Sequence, residues 1–236
     1  MDAKIRRLQE RVLRVFSDEA DSFALAGGTA LELYYLKHRF SLDLDFFSPR
    51  YTDAEISKLV RAFSKKLDKK IGLEAEFLTP GRARVKFYTI PIAGHARPLK
   101  IDFVEDIILK RPSIRLFGGV RAYSAKDIYM MKIAAISGTT PGVDRVGREG
   151  IEGRMEARDA FDLYMLSKKI QSLHLFLREV PPLFQRGVIH WYRRFSRQDL
   201  KLALIDMDIY IKEFNPSEMI RYLESEIREF AKEMAE

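Results

Sequence analysis

Leu42-Asp43-Leu44-Asp45-Phe46-Phe47 alternates apolar and acidic side chains before reaching Ser48-Pro49, which commits the segment to a strand with one dry face. Residues two apart on a strand project from the same side, so Asp43 and Asp45 converge while Leu44 and Phe46 face a core. Two carboxylates held together resist joint ionisation unless cations stand between them. A solvated edge strand with two outward aspartates would show the same pattern, so the pair takes its meaning from what surrounds it. One helix length upstream, the short apolar run Phe23-Ala24-Leu25-Ala26 is halted by Gly27-Gly28 and reads as a buried strand. Glycines there let the backbone approach a ligand closely. Thr29 is the expected N-cap of a helix carrying Ala30, Leu31, Leu33, Tyr34 and Leu36. Its hydroxyl and the first-turn N–H groups would face an anion such as a phosphate.

A third carboxylate, Asp102, occupies an alternate position of the apolar run Leu99–Val104, between Ile101 and Phe103. If that strand lies beside Leu42–Phe47, Asp43, Asp45 and Asp102 form a three-carboxylate set. Hard divalent ions, Mg²⁺ or Mn²⁺, bind carboxylate and phosphate oxygens, and such a set suits in-line phosphoryl displacement on an NTP. Asp206 and Asp208 repeat the spacing but fall in an expected helix, where residues two apart diverge, and are discounted.

The rest of the pattern predicts an α+β fold. Helices are expected over residues 3–20 and Asp53–Lys70, and strands over Leu73–Leu78 and Arg84–Ile90. From Ser124 the character is helical, with Lys126–Ile136, Ala157–Lys169 and Pro216–Met234 clearest, and Ser137–Gly153 reading as a long glycine-rich loop. This divides the chain into a nucleotide-handling α/β domain, residues 1–122, with a mixed sheet and flanking helices, and an all-α domain, residues 123–236. Lys and Arg outnumber Asp and Glu by 41 to 34, which favours a polyanionic partner without proving one. No apolar run is long enough for a membrane span, the first residues read as an amphipathic helix, and there is no cysteine. A cytoplasmic location without membrane partners is expected.

Together, Gly-Gly-Thr, Asp-Leu-Asp-Phe and a strand with a further aspartate resemble the DNA polymerase β type nucleotidyltransferases. More specifically, Phe23–Leu33 and His38–Phe47 are similar to the AbiEii/AbiGii nucleotidyltransferase toxins of toxin–antitoxin and abortive-infection systems, to which the MenT toxins are related. That family carries a lysine on one helix and an Arg-Asp-x-x-Asp-Leu run on the next, matched here by Lys132 and by Arg158–Leu163. The resemblance implies that Asp43, Asp45 and Asp102 are catalytic and metal-binding. It also implies that Gly27, Gly28, Thr29, Arg39, Ser41, Lys132 and Asp159 handle the nucleotide. It further implies a tRNA 3′ end as acceptor and a cognate antitoxin as partner. Nucleotidylation of a small molecule or protein, or nucleotide binding without catalysis, stays open.

Several supporting residues have plainer readings. Arg39 could pair with a nearby carboxylate instead of phosphate, and Asp159 could form a structural salt bridge with Lys132 or Arg158. His38 reads as a helix C-terminal residue satisfied by the last carbonyls. Trp191-Tyr192-Arg193-Arg194-Phe195-Ser196-Arg197 has a composition suited to RNA, although aromatics at helical spacing are more often core.

Overall fold

The computed structural model describes residues 2–78, 82–138, 141–143, 149–151 and 153–234. The chain forms two compact units. The first comprises residues 1–35 and 40–127, and the second comprises residues 36–39 and 128–236.

The first unit is built on a seven-stranded mixed sheet. Its strands are β1 (Ala24–Leu25), β2 (Leu44–Ser48), β3 (Gly72–Phe77), β4 (Val85–Ile90), β5 (Leu99–Glu105), β6 (Ile114–Phe117) and β7 (Val120–Tyr123), in spatial order β3-β4-β5-β2-β1-β7-β6. The β2–β5 and β1–β7 pairs are parallel, and the others antiparallel. Helix α1 (Ala3–Glu19) begins where the Asp2 carboxylate accepts the N–H groups of Lys4 and Ile5. It buries Ile5, Leu8, Val12, Leu13, Val15 and Phe16, the face that the sequence spacing marks out. Helix α3 (Asp53–Leu67) is capped by Thr52 and stops at Asp68, whose left-handed backbone (φ 52°) ends it short of the expected Lys70.

An aromatic stack holds this layer together. Phe46 of β2 lies 4.1 Å from the Phe16 ring of α1, 6.4 Å from Phe63 of α3 and 5.6 Å from Phe103 of β5. Leu44, Phe46, Ile101 and Phe103 are thus sealed against the helices, and the intervening residues point to the opposite face.

Two departures from the sequence pattern lie in this unit. The segment after Ala26 starts as a short α-helix, α2 (Gly27–Ala30), and widens into a π-helical stretch over Leu31–Leu36. The β6–β7 hairpin was not expected from its short, charge-interrupted runs. Its turn, Gly118-Gly119 with φ of 54° and 87°, is of the kind that glycine pairs supply.

The second unit contains most of α4 (Ala125–Ser137), then α5 (Ala157–Lys169), α6 (Leu173–Glu179), α7 (Pro182–Arg194), α8 (Arg197–Ile205) and α9 (Pro216–Glu233). It is not all-α. Within the segment read as a loop, β8 (Pro141–Val143) and β9 (Glu149–Ile151) pair as an antiparallel ribbon. Asp206 caps the end of α8 and Asp208 lies beyond it, so these two aspartates do not share the helix expected for them.

Candidate active site

The parallel pairing of β2 with β5 sets Asp45 directly beside Asp102. Asp43 stands just before β2, on the same alternation as Asp45. This is the adjacency on which the three-carboxylate expectation depends. Its electrostatic signature falls on Asp102, pushed up to about 8 by burial and then by the charges of Asp45 and Asp43. The Oδ1 atom of Asp102 is buried and has no hydrogen-bond partner among the described residues. Among those residues no group of three or more His, Cys, Asp or Glu forms a ready-made metal cluster. The donor set nevertheless fits Mg²⁺, which is commonly held by one or two carboxylates together with substrate phosphates. An orphaned, desolvated carboxylate oxygen beside a second carboxylate is the environment such a cation relieves.

The conformation at Gly27 explains why a glycine stands opposite Asp45. The φ of Gly27 is +64°, and a Cβ at that position would collide with Asp45 Oδ2. Any side chain there would push the Asp45 carboxylate aside. Main-chain contact reinforces the arrangement, because the Ala26 N–H donates to the Asp45 carbonyl at 2.8 Å.

Thr29 is not the N-cap. The helix starts from Ala26, which has no capping side chain, and Thr29 is buried within it, beside buried Gly28. Its hydroxyl donates to the Asp43 main-chain oxygen, so it shapes the loop carrying that carboxylate. Ser41 is held in the same way. Its N–H donates to Glu32 Oε2 at 2.8 Å, and its carbonyl accepts from Gln9 Nε2 at 2.9 Å. Glu32 in turn pairs with Arg6 of α1. Neither Arg6, Gln9 nor Glu32 was singled out in the sequence. A buried Gln at helical spacing and a Glu in an apolar run were the available signals.

The remaining expected site residues form a second cluster, in the helical unit. Asp162 is fully buried and receives Arg39 through both oxygens, Nε at 2.7 Å and Nη2 at 2.8 Å. His38 Nε2 lies 2.7 Å from Asp162 Oδ1, so His38 is a buried partner of a carboxylate and not a carbonyl-satisfied helix end. Lys132 reaches Asp159 Oδ1 at 2.6 Å and Asp162 Oδ2 at 2.7 Å. Burial would raise Asp162, but Arg39 and Lys132 more than offset it and hold the group well below the usual carboxylate range. Asp159 is likewise lowered, against burial, by Lys132 and Arg154. Arg158 pairs with Glu156 instead, at 3.5 Å. Trp191, Tyr192 and Phe195 are buried, and Arg197 lies over the Tyr192 ring at 3.9 Å, so those aromatics are core.

Two solved structures from Helicobacter pylori have this architecture. JHP933 matches at 17% identity and a TM-score of 0.59, covering 100% of this chain and 97% of its own. A protein described as a nucleotidyltransferase matches at 16% identity and a TM-score of 0.61, covering 100% and 98%. At these identities the likeness concerns the fold. No curated protein matches the sequence. The sequence model of the nucleotidyl transferase AbiEii toxins, of the type IV toxin–antitoxin systems, matches residues 11–235, nearly the whole length. The chain therefore belongs to the AbiEii nucleotidyltransferase toxin family.

Proposed function

We propose that the chain transfers a nucleoside monophosphate from an NTP to the terminal hydroxyl of a tRNA 3′ end, releasing pyrophosphate. The observation that carries this reading is the side-by-side register of Asp45 and Asp102, with Gly27 leaving room for the Asp45 carboxylate. Backbone N–H groups of the Gly27-Gly28-Thr29 turn lack intrahelical partners by construction and suit phosphate oxygens. Asp43, Asp45 and Asp102 would hold Mg²⁺, which supplies charge neutralisation to the phosphates when bound. Asp102, set beside Asp45 on the neighbouring strand, takes the proton of the attacking hydroxyl as that oxygen approaches the α-phosphorus. Thr29 and Ser41 keep the Asp43 loop in place from behind. Arg39, Lys132 and Asp159 serve as the buried ionic framework of the helical unit, their charges engaged by one another and by Asp162. A family of this kind implies a cognate antitoxin, and the reaction would arrest growth in the cytoplasm, where NTPs and tRNA meet.

The test is incubation of purified protein with each labelled NTP, Mg²⁺ and total tRNA. Label is expected in tRNA with wild type and not with Asp43→Ala/Asp45→Ala protein of unchanged melting behaviour. Label confined to protein or to a small molecule would overturn the acceptor, and no label with any NTP would overturn the enzyme reading.

A further inference from the structure

The helical unit carries a charge asymmetry that its totals conceal. Between Ile128 and Glu236 there are 17 basic and 17 acidic residues, so this stretch has no net charge. Yet α7 contains three arginines and a histidine and no acidic residue at all. Arg186, His190, Arg193 and Arg194 are exposed, and their spacing places them along one side of the helix. Among the described residues no carboxylate is paired with Arg186 or Arg193. The buried side of the same helix holds Gln185, Val188, Trp191 and Tyr192, so the basic ridge is fixed in place by a packed core.

Beside that ridge is a cavity of about 200 Å³. It lies between the end of α4, at Ile136 and Ser137, and α7, at His190, Trp191 and Arg194, with Met155 also lining it. The volume is small for a drug-sized ligand and of the order of a single planar ring system. Trp191 is 3% exposed, and its indole N–H, a donor only, has no hydrogen-bond partner among the described residues. A buried donor without an acceptor is destabilising unless a ligand or water satisfies it. The cavity is therefore lined by an apolar thioether, by the indole whose N–H lacks a partner among the described residues, and by His190 and Arg194 at the edge of a row of arginines.

We infer that the α7 ridge and the Trp191 cavity bind unpaired RNA, the ridge taking successive phosphates and the cavity one splayed-out base through an acceptor atom on its edge. Single strands are recognised through this combination of a basic track and a site for an unstacked base, whereas a duplex keeps its bases stacked. The assignment rests on the reading that the acceptor is RNA, and it names α7 and the Trp191 cavity as the place where an unpaired stretch of that RNA docks.

Trp191 is the only tryptophan, so its fluorescence reports the cavity directly. The full-length protein, without NTP, would be titrated with a single-stranded RNA of roughly a dozen nucleotides, within the span such sites cover. Anisotropy of the labelled RNA would be followed in parallel. Quenching of Trp191 is expected, with duplex RNA of the same sequence binding more weakly. Arg186→Gln/Arg193→Gln is expected to weaken binding about tenfold and to reduce the slope of log K against log salt by roughly 1.4, two phosphate contacts' worth. Trp191→Phe keeps one aromatic six-membered ring and removes the pyrrole ring with its N–H; it should weaken the RNA complex by anisotropy while leaving the salt slope unchanged. Equal affinity in wild type and the arginine variant, no quenching on saturation, or equal binding of duplex would each overturn the inference. Continued labelling of RNA by wild type in that event would show that the ridge assignment failed and the proposed function did not. Absence of RNA labelling together with absence of RNA binding would remove both.

Discussion

At the scale of single residues, the site is defined by what its neighbours exclude. Gly27→Ala is expected to reduce kcat/KM by ~100-fold or more, since misplacement of about 1 Å can lose that much. It should reduce stability by only about 1–2 kcal/mol, the strain of a side chain in the left-handed region. Steady-state kinetics beside a denaturant titration checks both. Asp102 makes the opposite kind of prediction. Asp102→Asn should abolish transfer and, in metal-free buffer at pH 8, raise stability by on the order of 1 kcal/mol, or ~2–4 °C in melting temperature. The reason is that its charged form is opposed by burial and by Asp45 and Asp43. A melting temperature unchanged or lowered would contradict that electrostatic account. Asp43, Asp45 and Asp102 were legible in the sequence because a period of two declares which side chains share a face. The partnership of His38 and Arg39 with Asp162 was not, because the His38–Asp162 contact spans 124 residues and no local pattern encodes it.

At the scale of elements, the strands that carry the carboxylates announce themselves and the scaffolding around them does not. β2 and β5 are apolar on one face, β1 is a buried apolar pair, and glycine or proline lies close to each. The β6–β7 hairpin has only four residues a side, each with an arginine, and its Gly-Gly turn was the one available signal. The π-helical turn over Leu31–Leu36 has no sequence signature of its own. Its consequence is visible in Glu32, which reaches both Arg6 and the Ser41 N–H and so ties α1, the helix and the Asp43 loop together. Removing one member of a buried ion pair leaves the other unsatisfied, so Glu32→Ala should lower stability by about 3–5 kcal/mol. Chemical denaturation measures this, and a change below about 1 kcal/mol would show that Arg6 and Ser41 find other partners.

At the scale of the whole molecule, the two units are set to respond oppositely to pH. Asp159 and Asp162 have folded values below the ordinary 3.8, so the stability they give is complete above about pH 4 and is lost as pH falls through those lower values. Asp102 binds its proton more tightly when folded, so its contribution declines as pH rises from 3.8 towards about 8. Hydrogen exchange resolved by segment should show α5 losing protection first in acid and β5 losing protection as pH rises towards 8 without metal. Protection that moves in the same direction in both segments would refute the assignment. The broad division into a sheet-bearing half and a helical half was readable from the change of hydrophobic period near Ser124. The ribbon at β8–β9 was hidden by its glycines, and the membership of residues 36–39 in the second unit could not be read locally.

That last feature bears on how such a gene can be silenced. The chain enters the second unit at Leu36–Arg39, leaves it, and returns only at Ile128. A premature stop codon between codons 39 and 162 thus deletes the counter-ion of Arg39 and the hydrogen-bond partner of His38, although both residues are encoded far upstream of codon 162. If the product arrests growth, colonies surviving its induction should carry nonsense and frameshift lesions throughout the codons that precede codon 162. None of those alleles should yield a toxic fragment, even where codons 43, 45 and 102 are intact.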